Sequence, residues 1–203
     1  MLSIDNQMLS RIYGLKRGAV FTPTDFLDLG SRQAVGLALF RLVRRGTIRR
    51  LAWGVYDYPK LHSRIGMLYP GPDTVAKALA RSAASRLQPS GAYATNLLRL
   101  SEQVPARVVY LTDGQGRKVK LGNLTIELKR TTPRNMATAG RTSGLVIQAF
   151  RHLGRKHVDA ARLKQLKGLL SEQDKKQLLK DVVHAPAWMQ PLFREMASAG
   201  RRK

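Results

Sequence analysis

The segment from Phe21 to Tyr58 constrains the fold of this chain more than any other, because helix starts, glycine stops and a hairpin pattern follow one another there without a gap. Thr22-Pro23-Thr24-Asp25 is a helix-start signal: Thr22 can cap free backbone N–H groups, Pro23 suits the first helical position, and Asp25 lies at the positive end of the helix dipole. The spacing predicts a helix of barely two turns ended by Gly30. Ser31 then restarts the chain as N-cap of a longer helix that runs to about Arg45, where Gly46 stops it. Two helices joined by a tight glycine-containing turn form a helix-turn-helix.

In the longer helix Val35, Ala38, Leu39, Leu42 and Val43 recur at helical spacing and make one apolar stripe for packing. Phe40 falls off that stripe and is expected to cover the helix edge or a domain contact. Ser31, Arg32 and Gln33 crowd the first turn, where a recognition helix meets base edges, and Arg41, Arg44 and Arg45 lie further along, where phosphates would be reached. After Gly46, Thr47 to Arg50 and Val55 to Tyr58 read as two short strands around a turn at Leu51-Ala52-Trp53-Gly54, and this hairpin has the place of a wing. Upstream, Ser3 or Asp5 can cap a first helix bearing Met8, Leu9 and Ile12, and Ala19-Val20-Phe21 is a strand candidate beside the wing. Lys16 and Arg17, just before it, are further candidate phosphate contacts, with a solvated loop as the competing reading. A helix pair with a hairpin can also dock protein, so the DNA reading rests on where the basic residues fall.

Charge points the same way. The 203 residues carry 36 Lys plus Arg against 13 Asp plus Glu, a formal charge of +23, with a pI near 11.3. Such a field attracts polyanions. Residues 1–60 hold 10 basic and 4 acidic side chains, leaving +17 on the remainder, so the excess is not confined to the first segment. There is no cysteine, which removes disulfides and thiolate metal sites and fits a reducing cytoplasm. No apolar run approaches the ~20 residues that a membrane span needs, so a cytoplasmic location without a membrane partner is expected.

Beyond Tyr58 the periodicity fades, and Pro59 with Tyr69-Pro70-Gly71-Pro72 marks a linker, placed at 61–72 between a winged helix-turn-helix domain at 1–60 and a C-terminal domain at 73–203. Asp73 looks like the N-cap of an Ala-rich helix that Pro89 and Gly91 break, and a shorter helix follows from Tyr93 to Leu100. Residues 107–112, 118–121 and 124–129 read as three strands, with Asp113-Gly114-Gln115-Gly116 as a hairpin turn, which predicts an antiparallel meander. Helices return from Leu145 to Leu153, from about Asp159 to Leu170, after the capping-box tetrapeptide Ser171-Glu172-Gln173-Asp174, and near Pro186; Arg201, Arg202 and Lys203 trail into solvent. The expected fold class is α+β: an N-terminal winged helix-turn-helix plus a C-terminal mixed domain of helices around a small antiparallel sheet.

Chemistry is hard to place on this sequence. His62, His152, His157 and His184 show no metal-ligand spacing, and the acidic residues are few and scattered, so neither a metal site nor a paired-carboxylate centre is expected. Asp113-Gly114-Gln115-Gly116 leads into a strand and lacks the Lys-Ser/Thr tail of a phosphate loop. The expectation is a protein without catalysis or cofactor.

The segments Ser31-Arg32-Gln33-Ala34-Val35 to Leu42-Val43-Arg44-Arg45-Gly46 and Arg49-Arg50-Leu51-Ala52-Trp53-Gly54-Val55-Tyr56 together resemble the AbiEi-type antitoxins of bacterial toxin-antitoxin operons. The resemblance runs through most of the chain, with Leu98 to Thr112, Asp113-Gly114 and Ala187-Trp188-Met189 carrying it in the second part. It implies a repressor that binds inverted repeats in its own promoter and opposes a nucleotidyltransferase-like toxin through its C-terminal domain. The DNA-reading role would fall on Ser31, Arg32 and Gln33 and, in the wing, on Arg49 and Arg50. Trp53 departs from the basic or small residue expected at the wing tip. RNA binding by the basic second part, or a nuclease subunit, remain the alternatives.

Overall fold

Ser3 opens the first helix by accepting the Asn6 backbone N–H on its hydroxyl, and α1 (Ile4–Gly14) buries Met8 and Ile12. In the computed structural model, which describes residues 3–198, helices and short strands alternate in a mixed α+β chain; Arg201, Arg202 and Lys203 lie outside the described residues. The chain divides into two compact units, Met1–Ser85 with Val119–Ile126, and Arg86–Lys118 with Glu127–Lys203.

In the first unit, α1 is followed by β1 (Val20–Phe21), a 3-10 turn at Pro23–Phe26, α2 (Arg32–Arg44), β2 (Arg49–Ala52) and β3 (Val55–Asp57). The three strands form an antiparallel sheet in the order β1-β3-β2, so β1 completes the sheet beside the hairpin as its composition suggests. This succession is consistent with a winged helix. Its core gathers Met8, Ile12, Phe21, Phe26, Val35, Ala38, Leu39, Leu42 and Ile48, with the Phe21 and Phe26 rings edge to face at 5.4 Å. Ser31 caps α2 by accepting the Ala34 N–H at 3.2 Å.

The expected two-turn helix before Gly30 is a single 3-10 turn, and the local bonds explain it. Helix propagation would give the Asp25 carbonyl to the Leu29 N–H; instead Arg11 Nη1 donates to that carbonyl at 2.9 Å, and Leu29 bonds one residue nearer, to Phe26. Thr22 stands at the N-cap as predicted and shares a capping box with Asp25. Its backbone N–H donates to the Asp25 carboxylate at 2.7 Å.

Residues 61–72, read as a linker, contain most of a second antiparallel hairpin, β4 (Lys60–His62) with β5 (Gly66–Leu68). Each strand is three residues long, too short for a period of two to register against the neighbouring turn residues. The next helix, α3 (Pro72–Ser82), starts with Pro72 at its first position and Gly71 as cap rather than Asp73. It belongs to the first unit, not to the second as expected: Arg81 donates to the Asp25 carboxylate and to the Val20 carbonyl.

The second unit carries β6 (Leu87–Ser90), α4 (Gly91–Leu97), β7 (Arg107–Thr112), β8 (Arg117–Leu121), β9 (Leu124–Arg130), α5 (Pro133–Met136), α6 (Thr142–Leu153), α7 (Ala160–Leu169), α8 (Glu172–Asp181) and α9 (Gln190–Ala197); the turn end of β8 and β9, 119–126, groups with the first unit. The predicted meander is corrected in two ways. Pro89, read as a breaker, lies in the edge strand β6, where a missing N–H is tolerated. The strand order is β6-β7-β9-β8, so β9 sits between β7 and β8 and Asp113–Gly116 is a bridge across its end rather than a hairpin turn. The Thr131 N–H donates to the Thr112 carbonyl and Arg107 pairs with Glu127, so β7 and β9 run in the same direction. Crossing one strand requires about 9.6 Å, well within reach of the connecting residues.

Helices α4, α6, α7, α8 and α9 enclose the core of this unit around Val146, Phe150, Leu166, Leu178, Met189 and Phe193. Asp159 caps α7 and Ser171 with Asp174 forms the capping box of α8, both as the sequence indicates. Hydrogen bonds from Ser171 and Thr142 hold the Asp174 carboxyl below the usual carboxylate range. Gly144 admits no side chain, since a Cβ there would stand 2.3 Å from the Thr138 carbonyl oxygen.

Candidate nucleic-acid interface

Helix α2 turns its apolar stripe inward, and with about 100° between successive residues the opposite side is fixed by arithmetic. The buried residues Val35, Ala38, Leu39 and Leu42 leave Gln33, Leu37, Phe40 and Arg44 as the outermost ridge, spaced at i, i+4, i+7 and i+11. All four are exposed, and α2 contains no acidic residue. Gly36 lies beside the ridge, with nothing within 4 Å of where its Cβ would be.

The ten residues singled out from the sequence separate into two groups. Ser31, Arg32 and Gln33 are exposed on the first turn of α2 or at its cap, and Arg32 and Gln33 take no hydrogen-bond or ion-pair partner among the described residues. Arg44 and Arg45 are exposed and form no ion pair among the described residues. Lys16 is exposed in the loop before β1, with a left-handed backbone, and Arg50 is exposed on β2. These seven present hydrogen-bonding or cationic groups to solvent.

The other three are engaged by the protein itself. Arg41 is held by the carboxylate of Asp5 on α1, and that contact, outweighing burial, keeps the Asp5 carboxyl below its ordinary range. Arg49 donates Nε and Nη2 to the buried carboxylate of Asp57, gives Nη2 also to the Leu68 carbonyl at 2.7 Å, and lies 4.6 Å from the Tyr69 ring centre. It buckles the second hairpin to the wing. Arg17 donates to the Pro59 carbonyl at 3.0 Å and stacks 4.7 Å from the Tyr58 ring centre. Type and position made these three look like phosphate contacts, but each has an internal acceptor that sequence spacing does not reveal.

Two groups of residues on this surface were not legible as a site. Leu37 and Phe40 stand on the outer ridge, 52% and 58% exposed, so Phe40 covers no helix edge as expected of it. A helical projection of the sequence places both on that ridge. Trp53, 79% exposed at the tip of the wing, lies with its ring centre 4.7 Å from the Arg50 guanidinium. Gly54 beside it takes the left-handed conformation, φ 64°, that the two-residue turn requires.

Both units are basic. The first holds 14 basic and 5 acidic side chains, net +9, and the second 22 and 8, net +14. Among the described residues no group of three or more His, Asp and Glu could hold a metal ion, and no helix is long and apolar enough to cross a membrane.

The class these features define is a strongly basic α+β chain whose first unit is consistent with a winged helix bearing an exposed cationic outer face. The chain belongs to DUF6088, a family of unknown function whose model matches residues 7–178. A search of curated proteins found no match.

Proposed function

We propose that this chain is a DNA-binding antitoxin: through its N-terminal winged helix it represses its own toxin-antitoxin operon in the cytoplasm, and through its C-terminal part it opposes a nucleotidyltransferase-like toxin, without catalysis. The observation that carries the DNA reading is the outer face of α2, where Arg32, Gln33, Arg44 and Arg45 are exposed and form no ion pair with a carboxylate among the described residues. A cationic helix face of this kind suits the phosphate-flanked major groove. In this reading Ser31, Arg32 and Gln33 address base edges, while Arg44, Arg45, Arg50 and Lys16 neutralise phosphates. The antitoxin assignment is supported by the resemblance to AbiEi-type antitoxins carried by the α2 and wing motifs.

Footprinting of the full chain on the DNA upstream of its own reading frame tests the first half. Protection of a pair of inverted repeats is expected; uniform protection, or none, contradicts it. For the second half, co-expression with a neighbouring nucleotidyltransferase-like frame should restore growth, and an Arg32→Ala/Gln33→Ala variant should still restore it.

A second reading, RNA binding by the second unit, is favoured by its net charge of +14. Competition of unlabelled tRNA against bound duplex separates the two.

A further inference from the structure

We propose that Leu37 and Phe40 form an apolar contact for thymine methyl groups, so that this protein reads part of its site through the C5-methyl edge of T·A pairs as well as through hydrogen bonds. The inference rests on the DNA reading above and deepens it.

The outermost ridge of α2 is polar at its ends and apolar in its middle, with Gln33 and Arg44 flanking Leu37 and Phe40. Neither apolar side chain is needed by the core, which α2 reaches through Val35, Ala38, Leu39 and Leu42. At i and i+3 the two apolar side chains are neighbours on the helix surface and are open to an apolar partner group. The surrounding charge selects it. Arg44 lies 5.9 Å from the Phe40 ring centre, Arg32 and Arg45 add exposed positive charge at the two ends of the helix, and α2 carries no carboxylate. That frame repels a basic partner, including a second copy of this chain, and attracts a polyanion.

Within DNA the major groove offers one apolar feature on its base edges, the thymine methyl, and Leu or Phe can bury it. Gly36 adds an independent sign. Glycine weakens a helix interior relative to alanine, and here no internal packing requires it, since a Cβ would face open space. A bare backbone beside Leu37 lets a groove floor come close to the helix axis.

The test begins with the full chain selecting from a pool of random duplexes. The enriched duplex is then rebuilt with deoxyuridine, which lacks the methyl, at each thymine in turn. The wild type should lose affinity about fourfold at one or two thymines, the value of one buried methyl-sized group. Leu37→Ala or Phe40→Ala should bind the parent duplex more weakly and lose that sensitivity at a particular thymine, whereas Phe40→Leu should keep it. Because both side chains are exposed, the variants fold, and far-UV circular dichroism verifies this. Enrichment without sensitivity to deoxyuridine, or equal sensitivity in wild type and both alanine variants, overturns the methyl contact while leaving DNA binding standing. A pool with no enrichment overturns the DNA reading and this inference together. A change of oligomeric state in Phe40→Ala by light scattering, with no effect of deoxyuridine, assigns the patch to protein and overturns it as well.

Discussion

The guanidinium of Arg41 donates two hydrogen bonds to the Asp5 carboxylate, Nε to Oδ2 at 2.9 Å and Nη2 to Oδ1 at 2.5 Å. This ties the last turn of α2 to the first turn of α1 and offsets the charge of an arginine that is itself partly exposed. Arg44, three residues on, has no such carboxylate among the described residues. The two therefore separate under substitution. Arg41→Ala should lower the denaturation midpoint of the full chain, because Asp5 is buried and loses its partner, yet leave the salt dependence of DNA binding almost unchanged. Arg44→Ala should do the reverse. Chemical denaturation and a salt series on one duplex check the pair.

Leu39 and Leu37 are two residues apart on α2 and face opposite ways, the first fully buried and the second exposed. Leu39→Ala should destabilise the chain by about 2–5 kcal/mol through lost burial and the cavity left behind. Leu37→Ala should stay within about 0.5 kcal/mol of the wild type. Urea unfolding followed by circular dichroism measures both, and comparable losses would mean that α2 is rotated from the orientation described.

Gly36→Ala should stabilise α2 by roughly 0.5–1 kcal/mol, since the added methyl meets open space and alanine is the better helix former. The same methyl stands where a groove would approach, so affinity for duplex DNA should fall. Thermal unfolding and a binding isotherm on the same preparation test this opposition of effects.

Asp25 predicts how the first unit responds to acid. Burial pushes its carboxyl up, but bonds from Arg81 and from Thr22 more than offset this and leave it below the ordinary carboxylate range. A carboxyl lowered in the folded state contributes stability above its unfolded value of about 3.9, and that contribution is lost as pH falls through the folded value. Asp25→Asn should thus be less stable than the wild type at neutral pH, with the gap closing below about pH 4. Denaturation midpoints between neutral pH and pH 3 follow it; a gap independent of pH would contradict the assigned role.

Where local chemistry decides structure, the sequence was sufficient. Ser31 as the cap of α2, the Ser171–Asp174 box, the inward stripe from Val35 to Leu42 and the glycine in the wing turn all depend on neighbours within a few residues. Long-range partners were not legible. Arg11 takes the Asp25 carbonyl and so shortens the helix expected there, and Arg81 ties α3 to the first unit from 56 residues away. The slot of β9 between β7 and β8 is likewise a matter of pairing, which alternation within each strand cannot encode. The candidate site followed the same rule. Residue type identified the exposed arginines, whereas only coordinates separated Arg44 from Arg41 and Arg49.

The most direct test of the central claim is a titration of the full chain against a duplex from upstream of its own gene and a scrambled duplex of equal length, each over a series of salt concentrations. The wild type should prefer its own upstream duplex, Arg32→Ala should lose about 1–3 kcal/mol of that preference, and Arg44→Ala should weaken both duplexes alike and reduce the salt slope by about 1. Equal affinity of the wild type for the two duplexes, with Arg32→Ala lowering both to the same extent, would contradict a base-reading role for the outer face of α2.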